Sequence, residues 1–216
     1  MTDRLCIHSD GKYHDEVSAE DLLSCCGSFC GDGCDGGYPT RAWIYWTTMG
    51  IVTGGGYESN KGCKPYGFPP CDHVGTGQLP RCNGSYATPE CVRRCRKGYE
   101  RSYGKDLQFG NDAYQVEGET EIMTELMNNG PMEADFLVYS DFPSYKSGVY
   151  QHLAGHYLGG HAVKLIGWGV EGGTKYWQLV NSWNDQWGDN GTFKILRGVD
   201  ECEIESEVIG GTPLFE

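Results

Sequence analysis

The sequence predicts an α+β fold in two parts, a cross-linked, partly helical first half and a β-rich second half. All but one of the 11 cysteines lie at or before Cys95. After Gly110, apolar runs of strand length alternate with Gly-rich turns, which is the pattern of an antiparallel sheet. We therefore expect a disulfide-rich domain over residues 1–110 and a β-rich domain over residues 111–216.

Short helices are expected in the first half. Residues 1–6 are typical of the end of a helix that begins upstream. Ser18 is the expected N-cap of a second helix, since a serine hydroxyl there accepts a hydrogen bond from the first helical turn. Residues 40–49 have the spacing of an amphipathic helix. Residues 52–110 are mostly irregular and rich in Gly, Pro and Cys, and so long an irregular region is usually cross-linked or functional.

The second half begins with one predicted helix, followed by strands. The helix presents Ile122, Met123, Leu126 and Met127 on one face, and the sequence Asn-Gly-Pro at 129–131 ends it. Gly-rich turns separate the apolar runs that follow, so these runs are expected to form an antiparallel sheet. The predicted strands cover residues 132–138, 161–168, 175–183 and 191–196.

Charge and hydropathy exclude two classes of partner. The chain has 30 acidic and 17 basic residues, a formal net charge of -13. No nucleic-acid partner is expected, because phosphate binding needs a basic face. No membrane partner is expected either, because no apolar run approaches the roughly 18 residues of a membrane span.

The cysteine content indicates disulfides and an oxidising compartment. Two glycosylation sequons, at Asn83 and Asn190, agree with secretory routing, although each is a weak signal by itself. The first residues lack the apolar segment of a signal peptide. We therefore interpret Met1 as not being the start of the working protein.

The main candidate site combines a histidine and an asparagine. His161 lies between Gly160 and an apolar run, and Asn181 follows 20 residues later in Asn-Ser-Trp. A histidine held by an asparagine is the base and its orienting group in a Cys-His-Asn catalytic arrangement. The remaining histidines that we expect to be exposed are His8, His14, His152 and His156.

Several segments resemble papain-family cysteine peptidases, and the resemblance extends from Met1 to the C-terminus. The insertion at about residues 63–95 and the sequence Glu-Ser-Glu at 205–207 resemble the cathepsin B-like branch. The motifs that carry the family resemblance lie at residues 17–23, 33–39, 147–150, 160–162 and 181–183.

This resemblance implies a papain-like two-domain fold. One domain would be helical and disulfide-rich with an occluding loop over about residues 63–95, and the other would be an antiparallel β-barrel-like domain. In the family, the nucleophile lies in Cys-Gly-Ser-Cys-Trp at the start of a central helix. The corresponding position falls before Met1, so we expect this chain to lack both the central helix and the nucleophile.

The resemblance also implies roles for individual residues. Trp183 would cover the histidine–asparagine pair, and Gly36 and Gly37 would pair with a bound peptide next to the site. Glu207 would form the base of the second specificity pocket, which in the family admits arginine. In the occluding loop His73 would bind a substrate's C-terminal carboxylate.

The chain departs from the family at two positions near this loop. Val74 replaces the second loop histidine, and Gln186 replaces an acid that usually pairs with a loop arginine. We expect a weaker hold on the loop and less release of C-terminal dipeptides.

The disulfide pairing implied by the resemblance leaves three cysteines over. Cys6 and Cys34 would have partners in the missing segment, and Cys202 would be a free thiol. The implied pairs are Cys25–Cys91, Cys26–Cys30, Cys63–Cys95 and Cys71–Cys82.

The sequence disfavours two other interpretations of the cysteines, a catalytic Cys30 and a zinc site. Cys30 lies 131 residues before His161, in the usual range for a nucleophile, but Gly-Asp-Gly follows it instead of the helix that would lower its pKa. A structural zinc site is disfavoured by the adjacent cysteines and irregular spacing. That site would use Cys25, Cys26, Cys30 and Cys34. No metal or cofactor is implied.

The predicted function is that of a lysosomal or secreted cathepsin B-like cysteine peptidase. Its partners would be peptide or protein substrates, and by family a propeptide or cystatin-type inhibitors. The alternatives are a non-catalytic peptide-binding pseudo-enzyme or fragment, and a Cys-rich metal-binding module. The chain by itself is expected to be inactive.

Overall fold

The computed structural model describes residues 1–73, 79–82, 84 and 86–215 of the chain. The helices are α1 Thr2–His8, α2 Ala19–Cys25, α3 Pro39–Thr48, α4 Tyr103–Asp106 and α5 Glu119–Asn129. The strands are β1 Glu16–Val17, β2 Thr53–Gly54, β3 Phe109–Gly110, β4 Tyr114–Val116, β5 Met132–Tyr139, β6 Val149–Tyr150, β7 Tyr157–Glu171, β8 Thr174–Val180, β9 Thr192–Leu196, β10 Val208–Gly210 and β11 Pro213–Leu214. Short 3₁₀ turns lie at Gly27–Phe29, Gly33–Asp35, Phe142–Ser144 and Glu201–Glu203.

The chain forms two compact units, and both are discontinuous in sequence. The first contains Met1–Pro69, Asn83–Tyr114 and Gly211–Glu216, and the second contains Pro70–Cys82 and Gln115–Gly210. This division differs from a single boundary at residue 110, because the chain end returns to the first unit. There β11 pairs with β3.

Helices α2 and α3 of the first unit begin at residues suited to a helix start. The Ser18 hydroxyl accepts a hydrogen bond from the backbone N–H of Asp21 at 3.0 Å, which is the N-cap geometry expected from the sequence. Helix α3 has Pro39 in its first turn, a position where the missing N–H is not needed. It buries Trp43 and Trp46, so its apolar face lies in the core as its spacing predicts.

The disulfides cross-link the irregular region of the first unit. The structure joins Cys25 to Cys91, Cys26 to Cys30 and Cys63 to Cys95. A fourth disulfide, Cys71–Cys82, lies in the second unit. These are the pairs that the resemblance implies. Residues 55–102 contain no helix or strand where the structure describes them. The disulfides therefore constrain this region in place of regular secondary structure.

The second unit is built on a seven-stranded sheet of order β4-β10-β5-β7-β8-β9-β6. Strands β10, β5, β7, β8 and β9 pair antiparallel in that order, whereas β6 pairs with β9 in parallel. The sheet is open, with β4 and β6 at its edges. The sheet is thus mainly antiparallel, as expected, and it does not close into a barrel.

One face of this sheet carries the core of the second unit. Buried and half-buried residues alternate along all of β5, as they do in a strand with one face in the core. Helix α5 contributes Ile122 and Leu126 to this core. Met127 was expected on the same helical face but is 75% exposed. Among the described residues, no helix is long and apolar enough to cross a membrane.

Candidate active site

His161 lies inside strand β7, which begins at Tyr157 and is longer than the sequence predicted. Its Cα partner on β5 is Phe136, and side chains of paired residues lie on the same face of a sheet. Phe136 is 2% exposed, and its ring centroid lies 6.0 Å from that of His161. The imidazole is therefore half-buried at the border of the apolar core.

Asn181 lies directly after β8 and is 9% exposed. Its side-chain Oδ1 lies 2.8 Å from His161 Nε2 and accepts a second hydrogen bond from the Ser182 backbone N–H, also at 2.8 Å. An amide oxygen only accepts, so the proton of a neutral imidazole must be on Nε2. His161 Nδ1 then keeps its lone pair, which is the state that a general base needs.

Trp183 stacks with two histidines. Its ring centroid lies 5.2 Å from that of His161 and 5.4 Å from that of His73, with an interplanar angle of 23° in both cases. Phe142 and Trp187 contact Trp183 edge-on. The indole covers the imidazole and excludes water from that side, which strengthens the hydrogen bond beneath it.

His73 and His161 are therefore both in contact with Trp183. The disulfide Cys71–Cys82 closes the base of the loop that contains His73. The Asn184 side-chain amide donates to the Cys71 carbonyl oxygen at 2.9 Å. Gln186 donates its backbone N–H to Asn184 Oδ1 at 2.8 Å, so this residue supports Asn184.

Burial lowers the pKa of His161 below its ordinary value. The hydrogen bond to Asn181 raises this pKa, and the nearby His73 lowers it. Burial also lowers the pKa of His73, against the opposing effect of Asp72. Both imidazoles are therefore neutral over a wider acidic range than a free histidine, and the base remains available at mildly acidic pH.

Asp135 is a second acid close to Glu207, and no sequence motif predicted it. The Asp135 backbone N–H donates to the Glu207 carbonyl oxygen at 3.1 Å, and the Cα partner of Asp135 on β7 is Ala162, next to His161. Burial, and secondly the negative charge of Glu207, raise the pKa of Asp135 to about 6. An acid in the alternating run of β5 was the available signal, because such an acid must lie on the face away from the core.

Other residues implicated by the sequence lie in different settings. Gly160 is paired with Leu137 on β5. Gly36 and Gly37 belong to the first unit, where Gly36 has φ +125° and a Cβ on Gly37 would lie 2.7 Å from the Cys30 carbonyl oxygen. Neither position accommodates a side chain without strain. Val74 and Asn83 lie outside the described residues, and Asn190 is exposed.

Two of the histidines expected to be exposed are half-buried. His152 stacks on Tyr139 with ring centroids 3.7 Å apart, and its Nδ1 lies 3.2 Å from an Asp141 carboxylate oxygen. His8 is also half-buried, whereas His14 and His156 are exposed. None of these rings has the asparagine partner that His161 has in the described structure.

The disulfides remove the rival cysteine sites. Cys30 is bonded to Cys26, so it has no thiol with which to attack a substrate. The zinc alternative fails for the same reason, since only Cys34 of its four ligands is free. The ligand atoms of Cys71, His73 and Cys82 lie within 4.8 Å of one another, but both sulfurs are bonded to each other.

The three free cysteines of the described structure are Cys6, Cys34 and Cys202. Burial, followed by the charge of Glu201, raises the pKa of Cys202 to about 12. This thiol is therefore protonated at physiological pH and is a poor nucleophile.

Known proteins are similar to this chain over nearly its whole length. The model of the papain family cysteine protease matches residues 1–212. A cathepsin B-like cysteine proteinase of Schistosoma japonicum is 51% identical over 213 residues, which are 98% of this chain and 62% of that protein. Cathepsin B-like cysteine proteinase 6 of Caenorhabditis elegans is 53% identical over 217 residues, 99% of this chain and 57% of that protein. The chain thus spans about three fifths of these relatives.

Solved structures of procathepsins have a similar fold. Procathepsin B S9 from Trypanosoma congolense matches with a TM-score of 0.84 and 40% identity, over 99% of this chain and 65% of that one. Digestive procathepsin L 3 of Tenebrio molitor matches with a TM-score of 0.70 at 20% identity, over 98% of this chain and 59% of that one, and shows the fold alone. On its fold, its His161–Asn181 pair and its cathepsin B-like relatives, the chain belongs to the papain family of cysteine peptidases.

Proposed function

We propose that His161 and Asn181 are the base and its orienting residue in a cathepsin B-like peptidase that cleaves peptide bonds through a thiol acyl-enzyme. The observation that carries the proposal is the 2.8 Å contact between His161 Nε2 and Asn181 Oδ1. Because this contact occupies Nε2, Nδ1 of His161 is the atom that accepts and donates protons during the reaction. Stacking of Trp183 on the imidazole holds the ring in this orientation.

In this mechanism His161 Nδ1 takes the proton of a cysteine thiol, and the thiolate attacks the substrate carbonyl carbon. The imidazolium then donates that proton to the leaving amine, which leaves a thioester. A water molecule gives its proton to Nδ1 as it attacks the thioester, and the thiolate leaves. Asn181 accepts from Nε2–H throughout and stabilises the imidazolium.

The reacting thiol in this proposal comes from a segment like the family's Cys-Gly-Ser-Cys-Trp. That pattern does not occur in the 216 residues. Of the free cysteines, Cys202 is held protonated by its surroundings. We therefore propose that the 216-residue chain is inactive unless such a segment is supplied.

Substrate selection is proposed for Glu207. Glu207 is exposed, and its carbonyl is hydrogen-bonded to Asp135. A carboxylate here favours arginine at the second residue before the cleaved bond, while Gly36 and Gly37 pair with the peptide backbone. His73 anchors a C-terminal carboxylate. We further propose a lysosomal or secreted location, peptide and protein substrates, and control by a propeptide and by cystatin-type inhibitors.

The test is a chimera that joins the mature N-terminal segment of the Schistosoma japonicum relative to this chain. Thiol-dependent peptide hydrolysis is expected from the chimera and not from the chain by itself. His161→Ala should abolish turnover, whereas the matched control His156→Ala, at an exposed histidine, should not. Hydrolysis by the isolated chain that disappears in Cys30→Ser would contradict the proposal.

The pocket assignment is tested in the same chimera with paired substrates. A charge-assisted hydrogen bond is worth roughly 1.5–3 kcal/mol, so Glu207→Ala should lower kcat/KM on arginine substrates by about ten- to a hundredfold. Substrates with an apolar residue at that position should be nearly unaffected. Glu203→Ala is the control, since it removes an exposed acid from the same segment. An equal loss on both substrate classes would assign Glu207 a structural role.

A non-catalytic protein that binds peptides through the same residues is the second candidate function. The transcript sequence upstream of Met1 distinguishes the two. Cys-Gly-x-Cys-Trp in frame supports the peptidase, and its absence from the mature transcript supports the binding protein.

A further inference from the structure

A cluster of three metal-ligand residues lies in the second unit, at the base of the loop that a disulfide closes. It consists of Cys71, His73 and Cys82, and one ligand atom of each lies within 4.8 Å of the other two. Two thiolates and an imidazole are ligands typical of zinc sites in proteins. The two sulfurs are bonded to each other, so the cluster has no thiolate while that bond is intact. Reduction of the bond releases both sulfur ligands beside His73.

Backbone hydrogen bonds hold the two cysteines close together independently of the disulfide. The Asp72 backbone N–H donates to the Pro80 carbonyl oxygen at 2.8 Å, and the Cys82 backbone N–H donates to the Asp72 carbonyl oxygen at 3.1 Å. Asp72 and Arg81 also form a parallel β-bridge. Because none of these contacts involves a sulfur atom, they keep Cys71 and Cys82 near each other when the S–S bond is reduced.

Residues 183–184 position two members of the cluster. The His73 ring stacks on Trp183 with ring centroids 5.4 Å apart. The Asn184 side-chain amide donates to the Cys71 carbonyl oxygen at 2.9 Å. An ion that binds here does not have to order the ligand residues first, which lowers the entropic cost of binding.

The spacing and the exposure of the cluster suit zinc. In a tetrahedral site with Zn–S distances of about 2.3 Å and Zn–N distances of about 2.0 Å, the ligand atoms lie about 3.5–3.8 Å apart. The Cα atoms of Cys71 and Cys82 are 5.0 Å apart, so small side-chain rotations bring the ligand atoms to this spacing. Both cysteines are half-buried and His73 is exposed. A reductant and an ion can therefore reach the cluster from solvent, and water completes the coordination.

We propose that reduction of the Cys71–Cys82 disulfide converts the base of this loop into a zinc site formed by Cys71, His73 and Cys82. Two molecules of a monothiol such as glutathione supply two electrons and two protons and become one disulfide, while the protein disulfide becomes two thiols. Zn²⁺ then binds both sulfurs and the imidazole, and the two thiol protons pass to solvent. The site responds both to the thiol–disulfide balance and to the zinc concentration around it. Its test requires no turnover, so it does not depend on the proposed function.

The test measures the reduced fraction of the Cys71–Cys82 pair in the 216-residue chain, in glutathione redox buffers at neutral pH and at several free Zn²⁺ concentrations. Samples are quenched with acid, zinc is removed with a chelator, and the alkylated peptides are quantified by mass spectrometry. Each tenfold rise in free Zn²⁺ above its Kd should shift the reduction equilibrium of this pair by about tenfold. Mg²⁺, which prefers oxygen ligands, should cause no shift. The absence of a zinc-dependent shift would overturn the proposal.

A variant of His73 decides whether its imidazole is a ligand. His73→Ala should reduce the zinc-dependent shift by about tenfold or more, since loss of even an outer-shell partner costs 10–100-fold in metal affinity. The matched control His156→Ala removes an exposed histidine outside the cluster and should shift like the parent. An equal shift in His73→Ala and the parent would mean that the sulfurs bind zinc without the imidazole, and would overturn the three-ligand site.

The Cys25–Cys91 disulfide is an internal control in the same samples, because it also has an exposed cysteine. Its response to zinc should be the same in His73→Ala as in the parent. If His73→Ala changes the zinc response of both disulfides together, His73 acts on the fold as a whole, and the assignment of a local site is overturned.

Discussion

At the scale of single residues, Asn181 decides where the proton of His161 lies. Its Oδ1 accepts from Nε2–H, and the Ser182 backbone N–H fixes that oxygen. Asn181→Ala removes the acceptor, so the buried ring loses its preference between the two neutral tautomers. Nitrogen NMR of the histidine-labelled chain should show the Nε2–H tautomer in the parent and a mixture in the variant. The Nε2–H tautomer unchanged in Asn181→Ala would remove the orienting role.

Asp135 gives a pH dependence to stability whose sign follows from its raised pKa. Burial and the charge of Glu207 raise the pKa of Asp135 from its ordinary value of 3.8 to about 6, so the folded state binds the proton more tightly than the unfolded state. The resulting stabilisation is fully present below about pH 4 and is lost as the pH rises through about 6. Asp135→Asn should therefore match the parent near pH 3.5 and be more stable than it at pH 7.

Urea unfolding of both chains between pH 3.5 and 7.5 measures this difference. Asp185→Asn serves as the control, because it removes one carboxylate from an exposed position. It should follow the parent across the whole range. A constant difference between Asp135→Asn and the parent at all pH values would show that packing, not the charge, is responsible.

At the scale of elements, the sequence predicted the strands whose formation depends on their own residues. The strand-like apolar run at residues 132–138 predicted β5, one face of which contacts the core. The start of β7 could not be predicted, since the pairing of Gly159 and Tyr157 with β5 extends the strand across glycines. The parallel pairing of β6 with β9 could not be predicted either, because the two strands are far apart in sequence and pair only when the unit has folded.

The candidate site could likewise be predicted only in part from the sequence. His161, Asn181 and Trp183 could be identified because each lies in a short recognisable motif. The acid at position 135 is visible in the sequence, but its closeness to Glu207 could not be predicted, since it depends on how β5 aligns with its neighbouring strands. Which residue lies opposite another on the next strand depends on the register of the two strands, and the sequence of one strand does not determine that register.

The start of helix α2 provides a test of local stabilisation. The Ser18 hydroxyl accepts from the Asp21 N–H at 3.0 Å and donates to the Lys64 carbonyl oxygen at 2.6 Å, and Ser18 is 1% exposed. Ser18→Ala should lower the free energy of unfolding by about 1–2 kcal/mol, since it leaves both groups without their partner. Urea unfolding measures it, with the exposed Ser28→Ala as a control that should change little.

At the scale of the whole molecule, the disulfides replace the stabilisation that long helices and strands provide elsewhere. Cys63–Cys95 joins residues 32 apart in sequence, whereas Cys26–Cys30 joins residues only 4 apart. A cross-link stabilises mainly by restricting the unfolded chain, and the effect grows with the length of the closed loop. The order of the two contributions can therefore be predicted from sequence separation alone.

Cys63→Ser with Cys95→Ser should lower the free energy of unfolding by about 3–4 kcal/mol, and Cys26→Ser with Cys30→Ser by about 2 kcal/mol. The comparison is matched because Cys63 and Cys26 are both buried, so each pair of variants places one serine in the core. Urea unfolding under non-reducing conditions gives the two values, with Cys202→Ser, at a free thiol, as the control. If the short cross-link contributes as much as the long one, native-state contacts and not chain entropy set the stability of this unit.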